Sequence, residues 1–263
     1  MGKPLAVKHA ENMRELGGYT NKDGKKVASQ KLIRSAAINL LDETDQNYLE
    51  KYGIRKIVDF RSTDERSSQP DKDVTLAENI FLPIFPEKQE KKEELTASPQ
   101  ALLKRMENGE SAFGQMMDAY ESFVLDDYVR KQYHKFFEIV LANENPNESV
   151  LFHCTAGKDR TGFAALLLLS GLGVDRVTAM TDYLATNEFL KGFTDNMLQH
   201  AKENGVPDAL LASVKDMTMA RKEYLTKSLN LIDENYGTVD NFLIDGIGLH
   251  AADLKDLQRL YLE

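Results

Sequence analysis

Cysteine and tryptophan are the scarcest residues of this chain: its 263 residues include one cysteine, Cys154, and no tryptophan. A single cysteine excludes a disulfide within the chain and any metal site built on two thiolates, and it fits a reducing compartment. Positive charge is also in deficit, because 42 Asp and Glu outnumber 33 Lys and Arg and leave a formal net charge of −9. This balance disfavours nonspecific binding to nucleic acid or to an anionic membrane surface.

Long apolar runs are missing as well. The longest, Phe163 to Val174, is interrupted by Ser170 and two glycines and is too short to span a bilayer. The first residues, Met1 to Val7, lack the apolar length of a signal peptide. We therefore expect a cytoplasmic protein without stable membrane insertion, although a processed, secreted form would carry the same sequence. Since 42% of the residues are hydrophobic, we expect one domain spanning residues 1–263.

The single cysteine lies between two apolar segments of different type. Ser149 to Phe152 is a short β-branched and aromatic run typical of a buried strand, and Phe163 to Leu169 is rich in Ala and Leu like a buried helix. Such a strand–loop–helix unit turns successive N–H groups inward at the helix N-terminus and so forms an anion-binding site. Cys154 would lie at its floor, and the fork of Arg160 would bind two phosphate oxygens.

This arrangement predicts attack on phosphorus. Cys154 would react as a thiolate to form a phosphocysteine that water hydrolyses, and Thr161 can offer its hydroxyl to the sulfur. Lys158 adds a positive charge at the loop wall, where a second phosphate or an inositol headgroup could bind. His153 is expected to orient the loop by hydrogen bonding. The predicted phosphate-binding residues are Thr155, Ala156, Gly157, Lys158, Asp159, Arg160 and Thr161.

The leaving oxygen needs a proton from a carboxylic acid. Asp159, within the loop itself, is the first choice for a catalytic acid beside Cys154 and Arg160. Asp59, Asp64 and Glu87 are alternatives, because their loops are expected at the same edge of the sheet. Ser62 to Glu65 has the form of a helix-capping box, so Glu65 is interpreted as structural. No metal and no cofactor is predicted, since His153 has no partner at ligand spacing.

His-Cys-x-x-Gly-Lys-Asp-Arg-Thr-Gly resembles the signature loop of the cysteine-based protein tyrosine phosphatases. The Lys-Asp-Arg variant is similar to the bacterial tyrosine phosphatases and dual protein–lipid phosphatases in particular. Other segments agree with that family: Asn12 to Tyr19, Ile33 to Ser35, Val58 to Ser62 and Asp182 to Leu184. The resemblance implies hydrolysis of phosphotyrosine to inorganic phosphate, with phosphoserine, phosphothreonine and phosphoinositides as further substrates.

The resemblance leaves the acid open. Certain relatives place an Asp just after a Leu-Pro-Phe strand, and Glu87 follows Leu82-Pro83-Ile84-Phe85-Pro86 at the matching place. The mobile Trp-Pro-Asp loop of the animal enzymes is absent, because the chain has no tryptophan.

Pattern and resemblance together predict an α/β fold like that of the tyrosine phosphatases. We expect a central, mostly parallel sheet flanked by helices, a helical insertion at residues 87–124 and a helical C-terminal third. The insertion contains a predicted helix after Ser98 and a second one, and these either form a lid or pack on the core. The second helix carries Phe113, Met116, Met117, Tyr120 and Val124 at helical spacing.

Other functions stay open. Phosphoinositide hydrolysis could be the main role. A sulfurtransferase-like or arsenate-reducing enzyme would also use a cysteine loop, although the lack of a second cysteine speaks against the reductase. A phosphate-binding module without turnover is disfavoured by the presence of both Cys154 and Arg160.

Overall fold

The computed structural model describes residues 2–87 and 111–263. A five-stranded sheet has the order β1-β2-β5-β3-β4, in which β1 is antiparallel to its neighbour and the other pairs are parallel. The α/β fold and the mostly parallel sheet are therefore confirmed. The strands are β1 (Arg14–Glu15), β2 (Leu32–Ser35), β3 (Ile54–Asp59), β4 (Glu78–Phe81) and β5 (Ser149–His153).

Helices cover both faces of this sheet, and the chain after β5 is almost entirely helical, as predicted. The helices are α1 (Glu43–Tyr52), α2 (Thr63–Ser68), α3 (Ala112–Leu125), α4 (Asp127–Leu141), α5 (Arg160–Gly171), α6 (Arg176–Phe189), α7 (Lys191–Glu203), α8 (Asp208–Thr218), α9 (Lys222–Tyr236) and α10 (Ala251–Tyr261). A helical turn at Val239–Asn241 and a π-helical turn at Phe242–Gly246 connect α9 to α10.

Strand side chains alternate between two apolar layers, as the pleat requires. In β5, Val150 and Phe152 join the large core beneath the later helices, whereas Leu151 joins a smaller core beneath α1. β5 is covered on both faces, which explains its continuous apolar sequence. Its C-terminal end therefore emerges in the middle of the sheet edge at which all the parallel strands end.

Helix α5 is the apolar centre of the large core. Nearly every side chain from Phe163 to Leu169 is excluded from solvent. Phe163 also joins a network of aromatic rings, with ring centroids 5.0 Å from Phe123 and 5.3 Å from Tyr133. This packing holds the N-terminus of α5, and hence the loop before it, in one position.

The predicted insertion divides into two parts. The expected helix after Ser98 lies outside the described residues. The second helix is α3, in which Met116, Tyr120 and Val124 are buried and Phe113 and Met117 pack against the large core. These side chains of α3 therefore pack on the core, whereas the lid role of residues 87–124 stays a prediction.

None of the helices in the described ranges combines the length and apolar character needed to cross a bilayer.

We predict that Leu167→Ala lowers the free energy of unfolding by about 2–5 kcal/mol, because it opens a cavity in a close-packed core. Leu167 is fully buried, whereas Leu40 is 70% exposed. Leu40→Ala is therefore the matched control and should change stability by less than about 0.5 kcal/mol. Urea unfolding followed by circular dichroism measures both values. Equal effects of the two substitutions would contradict the placement of α5 at the core.

Candidate active site

The Cys loop, residues 154–160, joins the end of β5 to the start of α5. Cys154 is the first residue after the strand and is 2% exposed. Asp159 occupies the N-cap position of α5, but its side chain makes no capping hydrogen bond. The first N–H groups of α5 thus have no capping side chain, which suits an incoming anion.

The carbonyl groups of Thr155, Ala156 and Gly157 accept hydrogen bonds from residues outside the Cys loop. Each bond comes from a residue of the N-terminal segment or of β2 and its following loop: Ala37 N donates to Thr155 O at 3.0 Å, Asn12 Nδ2 to Ala156 O at 3.0 Å and to Gly157 O at 2.9 Å, and Arg34 Nη2 to Gly157 O at 2.7 Å. A trans peptide unit points its C=O and N–H in opposite directions. Outward carbonyls therefore turn the next N–H groups toward the interior of the loop, where they can bind phosphate oxygens.

Gly157 is required at this point. Its φ is +64°, and a Cβ atom there would lie 2.3 Å from the carbonyl oxygen of Ser35. Both the left-handed backbone and the close approach exclude other residues.

Asp182 of α6 organises the residues that hold the loop. Its carboxylate accepts from Arg34 Nη1 at 2.5 Å, Arg14 Nε at 3.1 Å and Tyr19 Oη at 3.0 Å. Burial raises the pKa of the Asp182 carboxyl, but the charges of Arg34 and Arg14 outweigh burial and keep the pKa below its ordinary value. The ionised Asp182 therefore fixes Arg34, which in turn holds the carbonyl of Gly157.

Arg160 is oriented by Glu65. Arg160 Nη1 and Nη2 donate to the two carboxylate oxygens of Glu65 at 2.7 and 2.8 Å, a bidentate pair, and the Thr155 hydroxyl donates to the same carboxylate. Burial lowers the pKa of Arg160, but the hydrogen bonds to Glu65 and the Cys154 charge outweigh it, and the pKa lies above its ordinary value. The guanidinium is thus a permanent cation beside Cys154.

Glu65 has two roles, of which the sequence indicated one. The predicted capping box is present, since Ser62 N donates to Glu65 Oε2 at 2.9 Å and Ser62 Oγ accepts from Glu65 N. The pairing with Arg160 was not predicted. Burial raises the pKa of Glu65, but the hydrogen bonds and charge of Arg160 dominate and lower it to about 2.

Lys158 does not lie where the sequence analysis placed it. The side chain is 1% exposed, and its ammonium donates to the carbonyl oxygens of Met217 and Met219 at the C-terminal end of α8. The expected positive charge at the wall of the loop is therefore absent from that position. Lys158 is directed away because carbonyl groups at a helix C-terminus are strong acceptors for a cation.

His153 and Thr161 are fully buried beside Cys154. His153 Nδ1 lies 3.3 Å from the Cys154 carbonyl oxygen, and Nε2 lies 3.2 Å from Asp71 Oδ2. Burial raises the pKa of the Asp71 carboxyl, but His153 and Arg61 outweigh burial and lower it. The Thr161 hydroxyl has no hydrogen-bond partner within the described residues, which leaves it available to the sulfur.

Of the four carboxylates considered as acids, Asp159 has the most suitable position. Its side chain is 25% exposed, lies 3.7 Å from Lys158 Nζ through Oδ1, and accepts a hydrogen bond from Tyr120 Oη at 2.8 Å. Asp159 is therefore held in position within the Cys loop and is partly exposed to solvent.

Of the other three carboxylates considered as acids, two accept hydrogen bonds from other residues and the third is exposed. Asp59 is buried and forms a bidentate pair with Arg61 at 2.8 and 2.9 Å. Glu87 accepts from the amide and the hydroxyl of Thr63, at the start of α2. Asp64 is an exposed residue of the first turn of α2.

Asp59, Asp71 and His153 place their potential ligand atoms within 4.8 Å of one another. However, Arg61 Nη2 lies 2.8 Å from both Asp59 Oδ2 and Asp71 Oδ2. A guanidinium that already bridges both carboxylates would repel a cation placed between them, so this cluster does not suit a metal ion.

Known proteins resemble this chain along most of its length. The model of the tyrosine phosphatase family matches residues 5–263. A provisionally named tyrosine-protein phosphatase of Cupriavidus necator is 32% identical over 251 residues, which cover 95% of this chain and 86% of the relative. The triple specificity protein phosphatase PtpB of Mycobacterium tuberculosis is 27% identical over 255 residues, covering 88% and 91%. A solved structure of P. aeruginosa TpbA covers 64% of this chain and 83% of its own at 16% identity, with a TM-score of only 0.33.

We predict that Glu65→Gln lowers the free energy of unfolding by roughly 1–3 kcal/mol near neutral pH, because Arg160 loses its charged partner. The folded-state pKa of Glu65, about 2, lies below its ordinary value of 4.5. Its contribution is therefore complete above about pH 4.5 and is lost as the pH falls toward 2. Chemical denaturation at several pH values should show the difference from wild type shrinking over that window.

Glu121→Gln is the control for this prediction, since the Glu121–Lys227 pair lies partly exposed at the surface of α3 and α9. Surface pairs contribute at most about 1 kcal/mol. A Glu65→Gln effect that stays undiminished at pH 2 would contradict the ion pair with Arg160.

Proposed function

The chain belongs to the tyrosine phosphatase family, and we propose that it hydrolyses phosphotyrosine through a phosphocysteine formed on Cys154. It is a phosphatase, and the phosphocysteine mechanism is general for its family. The observation that carries the residue assignment is the position of Cys154, at the end of β5 and at the floor of a loop in which the carbonyl groups of Thr155, Ala156 and Gly157 are held outward.

In the first step, the Cys154 thiolate attacks phosphorus and the bond from phosphorus to the leaving oxygen breaks. The inward N–H groups of the Cys loop and the first turn of α5 stabilise the charge on the equatorial phosphoryl oxygens. Arg160 binds the phosphoryl oxygens with the N–H groups of its guanidinium that are not paired with Glu65. Glu65 supports this role because it holds the guanidinium beside Cys154 before the substrate arrives.

Asp159 supplies the proton that the leaving oxygen takes up. In the second step, water attacks phosphorus, Asp159 accepts the proton from this water, and the bond between phosphorus and sulfur breaks. Inorganic phosphate leaves and the Cys154 thiolate is restored. The buried, unpartnered hydroxyl of Thr161 stabilises that thiolate as it departs.

Phosphotyrosine is the substrate class that the family supports. The mycobacterial relative is named a triple specificity phosphatase, which supports including phosphoserine, phosphothreonine and phosphoinositides in the substrate panel. Lys158 adds nothing to the case for phosphoinositides, because its ammonium is buried against α8. The family match over residues 5–263 supports the phosphatase interpretation over the sulfurtransferase-like and non-catalytic alternatives.

We predict that Cys154→Ser reduces turnover of p-nitrophenyl phosphate by at least about a thousandfold, because serine is a far weaker nucleophile in this setting. Binding of inorganic phosphate, measured by calorimetry, should persist because the loop N–H groups and Arg160 remain. Turnover by the serine variant within about tenfold of wild type would contradict the assignment of the nucleophile.

We also predict that Asp159→Asn affects poor leaving groups most. An alkyl alcohol depends on its acid, so alkyl phosphate turnover should fall by about a hundredfold or more. p-Nitrophenolate leaves with little help, so turnover of that ester should fall by less than about tenfold. Steady-state kinetics on both esters should compare Asp159→Asn with Glu87→Gln and Asp64→Asn. If one of the latter two showed the leaving-group dependence instead, that carboxylate would be the acid.

A further inference from the structure

Two buried tyrosine hydroxyl groups form a chain of hydrogen bonds that ends at Asp159. Tyr120 on α3 and Tyr183 on α6 are at most 1% exposed, and their hydroxyl oxygens are 2.7 Å apart. The Tyr120 hydroxyl also lies 2.8 Å from Asp159 Oδ1. Phenylalanine would fill the same apolar space, so the packing of these rings does not explain the hydroxyl groups.

The direction of the hydrogen bonds follows from the number of protons. An ionised carboxylate only accepts, and each tyrosine has one hydroxyl proton. Tyr120 therefore donates to Asp159, and Tyr183 must be the donor to Tyr120. Burial first, and then the charge of Asp159, raise the pKa of both tyrosines well above the ordinary value. Both hydroxyls consequently stay protonated at working pH.

The two oxygens of Asp159 are not equivalent. Oδ1 accepts from Tyr120 and lies 3.7 Å from the Lys158 ammonium, so a proton on Oδ1 would face a donor and a cation. Oδ2 receives no hydrogen bond from the residues that the structure describes. The free oxygen is thus the one able to hold a proton for transfer.

From this geometry we infer that Tyr120, supported by Tyr183, is a positioning residue that fixes the Asp159 carboxyl so that Oδ2 carries the transferable proton. The inference rests on the proposed role of Asp159 as the acid. As the bond to the leaving group breaks, the Oδ2 proton passes to the leaving oxygen and Asp159 becomes a carboxylate. The hydrogen bond from Tyr120 strengthens as this charge appears, and Tyr120 keeps its own proton throughout.

The expected signature is leaving-group dependence. Tyr120→Phe should lower kcat for phenyl phosphate by about tenfold, the size of one lost charge-assisted hydrogen bond. Turnover of p-nitrophenyl phosphate, whose leaving group needs little protonation, should fall by less than about threefold. Tyr183→Phe should change both values in the same direction but less, since it acts through Tyr120.

Tyr224→Phe is the matched control. Tyr224 is equally buried and packs on Tyr120 with ring centroids 5.6 Å apart, but its hydroxyl donates to Asp216 O at 3.0 Å. It should leave the ratio of the two kcat values unchanged. Thermal unfolding and vanadate affinity, measured for every variant, identify a variant that has lost its fold or its anion site.

The Asp159→Asn background separates this inference from the proposed function. If Tyr120 acts through Asp159, Tyr120→Phe has no further effect on the ratio in that background. The positioning role would be overturned if Tyr120→Phe lowered kcat equally for both esters, or if its effect on the ratio persisted in the Asp159→Asn background. The tyrosine hydroxyl groups would then have only a structural role. If Asp159→Asn alone left the ratio unchanged, the acid assignment itself would fail, and the inference with it, whereas Cys154-dependent turnover would stand.

Discussion

A buried ion pair sets the shape of the phosphate-binding loop. Asp182 is 1% exposed between Arg14 and Arg34, which are themselves fully buried. Burial and the neighbouring Arg34 lower the pKa of Arg14 to about 10, which shows how unfavourable two adjacent guanidinium groups would be alone. The Asp182 carboxylate offsets that cost. The other terminal nitrogen of Arg34, Nη2, then donates to the carbonyl of Gly157. Without this pairing the carbonyl of Gly157 would lose its hydrogen bond from β2 and keep only the one from Asn12.

The same principle recurs around the loop, because each charged side chain that we propose to contact phosphate is held by a hydrogen-bonding partner. Glu65 holds Arg160, and Tyr120 holds Asp159. A site oriented before the substrate binds does not reorganise during the reaction. The proposed phosphate contacts are compatible with the net charge of −9, because N–H groups and one guanidinium attract an anion locally.

Lys158 illustrates how a charge in a signature loop can serve the scaffold. Its ammonium binds two carbonyl groups at the end of α8 rather than facing the substrate. The loop is thereby tied to the C-terminal helices as well as to β2 and the N-terminal segment. Its conformation is fixed from both sides, which suits a site that must bind a tetrahedral anion in one orientation.

The sequence alone determined the local features of this protein. A buried strand, a tight loop with one cysteine and an Ala/Leu-rich helix are set by residues close together in the chain, and Val150 to Leu169 form that unit as predicted. The Glu65 capping box is local in the same sense. Only the tertiary structure decided which distant groups meet: Glu65 with Arg160, Asp182 with Arg34, Tyr120 with Asp159, and Lys158 with α8. Hydrophobic periodicity specifies which face of an element is buried, but not the partner that a polar side chain finds once it is there.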